Sequence, residues 1–213
     1  MIQTLTLEEQ SRLIIALNDE RKLSTGHHRL KVLRDFVLIL IGLRCGFRVG
    51  ECQKLKVSDV WENDQPVHRI HVPANFNKCN VEGWVKVSAD LYEALQEYVP
   101  LRIAVKDPED FDPILLPPRP GLKALVPMLS RPVVVDILTY WSKKAGIPHI
   151  RFHTLRHTFA TNVLQRGGGN LKTVQMLLRH RHLSSSSIYL HPTQDDLDIA
   201  VMKACNSLPQ GQA

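Results

Sequence analysis

The chain has few cysteines and no paired cysteine motif. Only four cysteines occur among its 213 residues, at positions 45, 52, 79 and 205, and none forms a CxxC pair. A chain of this length can bury a sizeable core without cross-links, so it does not need a disulfide framework. We therefore expect reduced thiols in a reducing compartment.

Long hydrophobic runs are also lacking. The most apolar stretch, residues 36–43, is too short to span a bilayer and is followed by Arg44. The N-terminal sequence MIQTLTLEEQ is polar and has no apolar core of a secretory signal peptide. These absences predict no membrane span and a cytoplasmic location, with residues 36–43 forming part of a buried helix.

Acidic residues are outnumbered by basic ones. The chain has 27 Lys and Arg against 21 Asp and Glu, a formal charge of +6. This balance is compatible with a polyanionic partner, although many soluble proteins are mildly basic and the charge alone does not identify one. The hydrophobic share of 44% and the charged share of 23% are ordinary for a soluble globular protein. With no internal repeat, they predict one domain over residues 1–213.

Helical patterns cover most of the chain. Thr6 and Glu9 have capping-box spacing, which predicts a helix that begins after Thr6. A second helix is expected over roughly residues 29–44, ended by Gly46. Further helices are predicted over residues 49–55, 89–99, 133–145, 154–166, 171–180 and 195–205. The last of these has an apolar face with no obvious place to pack within its own chain.

Strand-like alternation is confined to a short region. Residues 69–73 and 84–88 alternate apolar and polar positions around a turn-rich connector, which predicts an antiparallel hairpin. A third short strand near 57–60 is expected to join it. Residues 106–132 hold seven of the thirteen prolines and predict a long connection. The predicted fold is α+β and mostly helical, with a small antiparallel sheet of about three strands at one edge. Residues 206–213 are expected to form a disordered tail.

A set of basic and nucleophilic residues falls at helix ends. Arg48 directly follows the apolar helix, His153 and Arg156 are one helical turn apart, and His180 ends a helix of apolar and basic residues. Tyr189 follows His180 by nine positions. Few carboxylates accompany these residues, so they suit an anion with charge on several oxygens, such as a phosphodiester.

This set of side chains matches the needs of phosphoryl transfer. The planar arginine fork grips two non-bridging oxygens at once. Positioning and charge neutralisation supply most of the catalysis, a tyrosine hydroxyl can form a covalent intermediate, and histidine can move protons. The set therefore predicts transesterification on DNA without a metal or cofactor.

Each residue also has an ordinary explanation when it is taken singly. Tyr189 after a serine run is typical of a packed aromatic, and Arg156 could be an exposed charge beside a buried His157. His153 and His157 have the i,i+4 spacing of zinc ligands, but no Glu follows His153 as in HExxH and no third ligand is evident. Only the combination favours a phosphodiester site.

Three segments together resemble the tyrosine recombinases, the phage-integrase family. The segment GFRVGECQKLKVSDV resembles the first arginine box, HTLRHTFAT closely matches the His-x-x-Arg box, and LLRHRHLSSSSIYLH resembles the stretch with the nucleophile. The resemblance extends from about residue 5 to residue 205. It implies a catalytic set that comprises Arg48, Lys78, His153, Arg156, His180 and Tyr189, with Glu51 as the acidic companion of Arg48.

The lysine of this set normally lies in the turn of a β-hairpin. Lys78, in the connector NFNKCN, is the residue chosen by this resemblance. Lys86 is the alternative, but it falls in the following predicted strand and would reach the site only in a different register.

The chain departs from the family pattern at several places, one of which is the GGG at residues 167–169, more permissive than the usual helix end. Family members usually have Leu-Gly-His where this chain has Leu178, Arg179 and His180, so a side chain stands where glycine permits a close turn. We expect Arg179 to add a phosphate contact. Most members also have an N-terminal helical domain that closes around DNA, whereas this sequence begins where the catalytic domain normally begins. It is expected to be either an isolated catalytic domain or a short member like the fimbrial switch recombinases.

The resemblance implies a reaction and its partners. Tyr189 would attack the scissile phosphate of duplex DNA, form a 3′-phosphotyrosyl bond and release a 5′-hydroxyl, with integration, excision or inversion as the outcome. Two cuts on each of two duplexes imply a tetramer on DNA, assembled through helix 195–205, and a protein bound to the nucleoid. DNA-backbone contacts are expected from Lys54, Lys56, Lys172 and Arg181. A type IB-like topoisomerase and a non-catalytic DNA-binding regulator remain the alternatives.

Overall fold

A computed structural model describes residues 3–76, 80–105, 113–115, 129–168, 170–179 and 193–206. Of the predicted catalytic set, Arg48, His153 and Arg156 are within these ranges. Lys78, His180 and Tyr189 lie outside the described residues, as do Arg181, most of the long connection and all but the first residue of the predicted tail.

Helices form most of the described structure, as predicted. In chain order they are α1 (Leu7–Leu23), α2 (Gly26–Cys45), α3 (Val49–Cys52), α4 (Val57–Val60), α5 (Ala89–Val105), α6 (Arg131–Lys144), α7 (Phe152–Gln165), α8 (Leu171–Leu177) and α9 (Gln194–Asn206). The boundaries follow local chemistry. The Thr6 hydroxyl accepts from the Glu9 N–H at 3.2 Å, and the Glu9 carboxylate accepts from the Thr6 N–H at 2.8 Å. This confirms the capping box that starts α1.

Helix α2 forms the centre of the fold. Nearly every residue from Val32 to Cys45 is buried, and the helix packs against α1, α5 and α7. It ends at Gly46, whose φ of 64° is left-handed and favours glycine. A Cβ at this position would lie 2.4 Å from the ring of Phe159, so glycine also permits close approach to α7. No helix in the described ranges is long and apolar enough to cross a membrane.

The strands form two small antiparallel ladders. Strand β1 (Trp61–Glu62) pairs with β2 (Gln65–Pro66), and β3 (Arg69–Val72) pairs with β4 (Gly83–Lys86). The second ladder confirms the predicted hairpin, with Val72 opposite Gly83 at the turn end. The predicted third strand near 57–60 is wrong, because these residues form the helical turn α4, in which the Asp59 carboxylate accepts from the Lys56 N–H at 2.8 Å.

Helix α9 packs within its own chain. Its apolar side joins Phe159 and Val163 of α7, together with α8, in a second buried cluster. Arg69 on β3 fastens the helix, with Nε 2.6 Å from Asp198 Oδ2 and Nη2 3.3 Å from Asp195 Oδ1. The expectation that the apolar face has no place within its own chain is therefore wrong: the ends of α7 and α8 provide one.

Candidate active site

Arg48 marks the start of α3 and is held there by Glu51. The backbone N–H of Arg48 donates to Glu51 Oε2 at 2.6 Å, and its Nη1 donates to Glu51 Oε1 at 3.0 Å. Glu51 caps the short helix in this way while its own side chain is only 1% exposed. The Arg48 side chain is 28% exposed, so the guanidinium remains accessible to a ligand at the surface.

Arg156 lies beneath this surface on α7. Its guanidinium donates to two backbone carbonyls, Gly46 O and, at 2.6 Å, Leu178 O. Its Nη1 is also 3.7 Å from Glu51 Oε2. Arg156 therefore connects the end of α2 to the end of α8 and brings a third segment to the Glu51 carboxylate. This burial excludes the alternative in which Arg156 is an ordinary exposed charge.

Arg179 completes the cluster from the end of α8. Its backbone is left-handed, with φ of 54°, the conformation that the family glycine would favour. The side chain is 1% exposed, and its Nη2 donates to Glu51 Oε2 at 2.8 Å while Nη1 donates to Leu177 O at 3.0 Å. The expected phosphate contact is wrong, because the guanidinium points into the protein. Sequence reasoning missed this role, and the one available signal was a charged residue at a glycine position after an apolar helix.

The cluster holds more positive than negative charge. Three guanidinium groups share the Glu51 carboxylate, which leaves a formal excess of two positive charges. Burial by itself would raise the pKa of Glu51, but Arg179, Arg48 and Arg156 hold that pKa below its ordinary value. Burial and the neighbouring charge of Arg48 lower the pKa of Arg156 to about 9, so it stays cationic at neutral pH. The arrangement suits an anionic ligand that approaches from the exposed side of Arg48.

His153 borders the cluster at the surface. It lies one helical turn before Arg156 on α7 and is exposed. Partial burial, together with the charges of His157, Arg156 and Arg48, lowers its pKa below the ordinary 6.5. His153 is therefore mostly neutral at pH 7 and able to accept a proton. The His153 and His157 rings are 6.3 Å apart, and no three His, Cys, Asp or Glu side chains within the described ranges could hold a metal ion.

The turn end of the β3–β4 hairpin lies beside the arginine cluster. A Cβ at Gly83, the first residue of β4, would be 3.5 Å from the Arg179 side chain. Lys86 is at the opposite end of the ladder, paired with Arg69, and a strand rise of about 3.3 Å per residue puts it roughly 10 Å along the strand from Gly83. Lys78, the other candidate lysine, lies outside the described residues.

The lysines predicted to contact the DNA backbone are partly engaged in contacts within the protein. Lys54 Nζ donates to Asn75 O at 2.8 Å, which ties α3 to the segment that enters the hairpin turn. Lys172 is 9% exposed, and Lys56 is half-buried at the start of α4. The hydrogen bond of Lys54 to Asn75 is exposed to solvent.

Comparison with known proteins gives a consistent set of relatives. A model described as "Phage integrase family" matches residues 3–195. The chain is 34% identical over 175 residues to the tyrosine recombinase XerC of Oceanobacillus iheyensis, covering 80% of the chain and 53% of that protein. It is 31% identical to a tyrosine recombinase of Pseudothermotoga lettingae, with 82% and 55% covered. The chain thus spans about half the length of these curated relatives.

Solved structures of recombinases and integrases superpose on this fold. The XerA recombinase superposes with a TM-score of 0.65 at 27% identity, covering 92% of this chain and 63% of that one. The integrase of mycobacterium phage Brujita superposes with a TM-score of 0.63 at 20% identity, covering 96% and 58%. The second likeness concerns the fold alone, and it supports the mostly helical architecture with small antiparallel ladders described above.

Proposed function

The chain belongs to the phage integrase family, and from that premise we propose that it is a site-specific recombinase that cleaves and rejoins duplex DNA. The observation that carries the proposal is the cluster of Arg48 and Arg156 around Glu51, with a neutral His153 at its surface. Such a cluster supplies fixed positive charge where a phosphodiester gains charge during attack. The tyrosine recombinases among the similar proteins support the same activity.

Each residue of the proposed catalytic set has its own role in the transesterification. Arg48 and Arg156 stabilise charge on the non-bridging oxygens, and His180 adds a further donor. Tyr189 Oη attacks the phosphorus, a 3′-phosphotyrosyl bond forms, and the bond to the 5′-oxygen breaks. His153 assists by accepting the tyrosine proton, and Lys78 protonates the departing 5′-oxygen. No metal or cofactor takes part, and attack by a 5′-hydroxyl of a partner strand reverses the step.

A suicide duplex tests the proposal directly. A nick placed so that the short fragment with the new 5′-hydroxyl diffuses away traps any covalent intermediate. We expect wild-type protein to accumulate a protein–DNA adduct on its target site and Tyr189→Phe to give none. Equal adduct yields from the two proteins would contradict the assignment of Tyr189. A protein that binds the duplex without forming an adduct would be a regulator rather than an enzyme.

The lysine assignment has its own test. Lys78→Ala is expected to lose cleavage of ordinary DNA and to regain it on a 5′-bridging phosphorothiolate, because sulfur leaves without a proton. Lys86→Ala is the matched control and should cleave both substrates normally. If Lys86→Ala instead loses cleavage of ordinary DNA and regains it on the phosphorothiolate, Lys86 is the residue that protonates the 5′-oxygen.

We also propose that four copies assemble on two duplexes, since two strands of each must be cut. Helix α9 would link them by leaving its position on α7 and α8 and occupying the same position on a neighbour. This exchange breaks the ion pairs of Arg69 with Asp195 and Asp198 and reforms them between copies. Such a protein acts on the nucleoid, in the cytoplasm.

A further inference from the structure

Arg179 is a buried cation in a backbone conformation that side chains disfavour. Its φ of 54° lies in the left-handed region, and its guanidinium is 1% exposed. Both features oppose folding unless the side chain is compensated by specific partners. The main partner is Glu51, 128 residues earlier, whose Oε2 accepts from Arg179 Nη2 at 2.8 Å. Arg179 is therefore tied to the acidic residue that holds Arg48.

The Glu51 carboxylate is the junction of the whole cluster. Oε1 accepts from Arg48 Nη1, while Oε2 accepts from the Arg48 N–H and from Arg179 Nη2. Arg156 Nη1 is 3.7 Å from the same Oε2. Without Arg179, Oε2 would lose a side-chain donor at 2.8 Å, and the carboxylate would be free to rotate toward Arg156. The positions of the partly exposed Arg48 and the buried Arg156 would then change together.

Two further contacts hold the Arg179 side chain in place. Its guanidinium lies 5.0 Å from the centre of the Phe47 ring, and Phe47 is fully buried directly before Arg48. Its aliphatic stem lies against Gly83 at the turn end of the β3–β4 hairpin. Arg179 is thus fixed from both sides, whereas Arg48 is 28% exposed and faces the surface.

From these contacts we propose that Arg179 is a positioning residue: it holds the Glu51 carboxylate, which in turn sets the geometry of Arg48 and Arg156, without itself touching DNA. The reaction that it serves rests on the proposed function. The position that normally takes glycine has, in this chain, become a third arginine of the anion site.

The first test does not depend on activity. In protein labelled with ¹³C at the glutamate carboxyl carbons, the Glu51 signal is followed as a function of pH and identified by its loss in Glu51→Gln. We expect Arg179→Met, which keeps the stem but removes the charge, to raise the pKa of Glu51 measurably. Arg179→Lys should restore most of the shift. Arg102→Met, which removes an equally buried arginine that donates to Pro113 O, should leave it unchanged.

The second test separates positioning from plain structural support. Single-turnover adduct formation is measured for wild type, Arg179→Met, Glu51→Gln and the double variant, each checked for folding by its melting curve. We expect Arg179→Met to slow the reaction at least about tenfold, with DNA affinity little changed. The double variant should be no slower than Glu51→Gln, because both act through one carboxylate.

The outcomes distinguish the two proposals. An unchanged Glu51 titration in Arg179→Met, or additive rate losses in the double variant, would overturn the positioning role. Failure of the wild type to form any adduct would overturn the proposed function instead, and the Glu51 titration would still decide whether Arg179 controls the carboxylate.

Discussion

Arg156 Nη2 donates to the carbonyl of Leu178 at 2.6 Å, and the same guanidinium donates to the carbonyl of Gly46. One side chain thereby joins the two segments that the family pattern assigns to the start and the end of the catalytic set. Arg156 therefore belongs to the folded core, although the neighbouring Arg48 is partly exposed. This contrast leads to predictions in which stability and reactivity can be separated.

Glu51→Gln should destabilise the fold strongly. The substitution leaves Arg179 buried without its carboxylate, and breaking a buried ion pair from one side typically costs about 3–5 kcal/mol. Denaturant unfolding measures this change. Glu62→Gln, at an exposed position on β1, should alter the free energy of unfolding by less than about 0.5 kcal/mol. Similar values for the two variants would contradict the role of Glu51 as the junction.

Arg48→Ala should reduce the reaction rate far more than it reduces the stability of the fold. Arg48 is partly exposed and Glu51 keeps its bond from Arg179, so the stability loss should be modest. The rate of adduct formation should fall on the order of 10²–10³-fold, because a preorganised donor to the phosphate is lost. Arg131→Ala, an exposed arginine at the start of α6, is the control and should cleave at the wild-type rate.

Gly46→Ala should be destabilising although only a methyl group is added. The position has φ of 64°, and the new Cβ would lie 2.4 Å from Phe159, so the loss should exceed about 1 kcal/mol. Gly50→Ala, inside α3 with no atom within 4 Å of the added carbon, should be neutral or slightly stabilising. Melting temperatures of the two variants test this contrast. An unaffected Gly46 variant would show that α2 and α7 can separate at low cost.

The cleavage rate should depend on pH through His153. Its folded-state pKa lies below 6.5, so the neutral form dominates at pH 7 and is lost as the pH falls through that lower value. Rates measured at DNA concentrations below the dissociation constant report this free-protein titration. His153→Gln should be slower and lack that acid limb. Because the unfolded chain binds the proton more readily, stability should also decrease as the pH falls below 6.5.

Arg69→Met should loosen α9. It removes the bonds to Asp198 and Asp195, so amide hydrogens of residues 194–206 should exchange faster. If α9 links protomers, the fraction of tetramer on DNA should change in the same variant, as measured by light scattering. Lys203→Met, on the exposed side of α9, is the matched control for the lost charge. Faster exchange with an unchanged assembly would exclude α9 as the link.

Sequence-based predictions were most accurate for features that interactions between near neighbours in the chain determine. The Thr6–Glu9 capping box, the stop at Gly46 and the shared face of His153 and Arg156 depend on neighbours within one helical turn. The third strand expected near 57–60 is wrong, because the side chain of Asp59 caps a helical turn there.

Long-range packing was beyond the reach of local patterns. Nothing near Arg179 in sequence shows that Glu51 and Phe47 receive its guanidinium, because these partners are more than a hundred residues away. The position of α9 likewise depends on Arg69 and on a hydrophobic surface formed by α7 and α8. Both Arg179 and the apolar face of α9 are buried by partners that are distant in sequence, which a local pattern does not reveal.

The contact between Arg156 and Gly46 spans 110 residues, and that between Arg179 and Glu51 spans 128. A chain still emerging from the ribosome possesses Arg48 and Glu51 long before either of their arginine neighbours exists. The cluster around Glu51 therefore forms only after residues 156 and 179 have been synthesised and have packed against residues 46–51. A fragment that ends before residue 156 would contain Arg48 and Glu51 without the two buried arginines that fix the carboxylate.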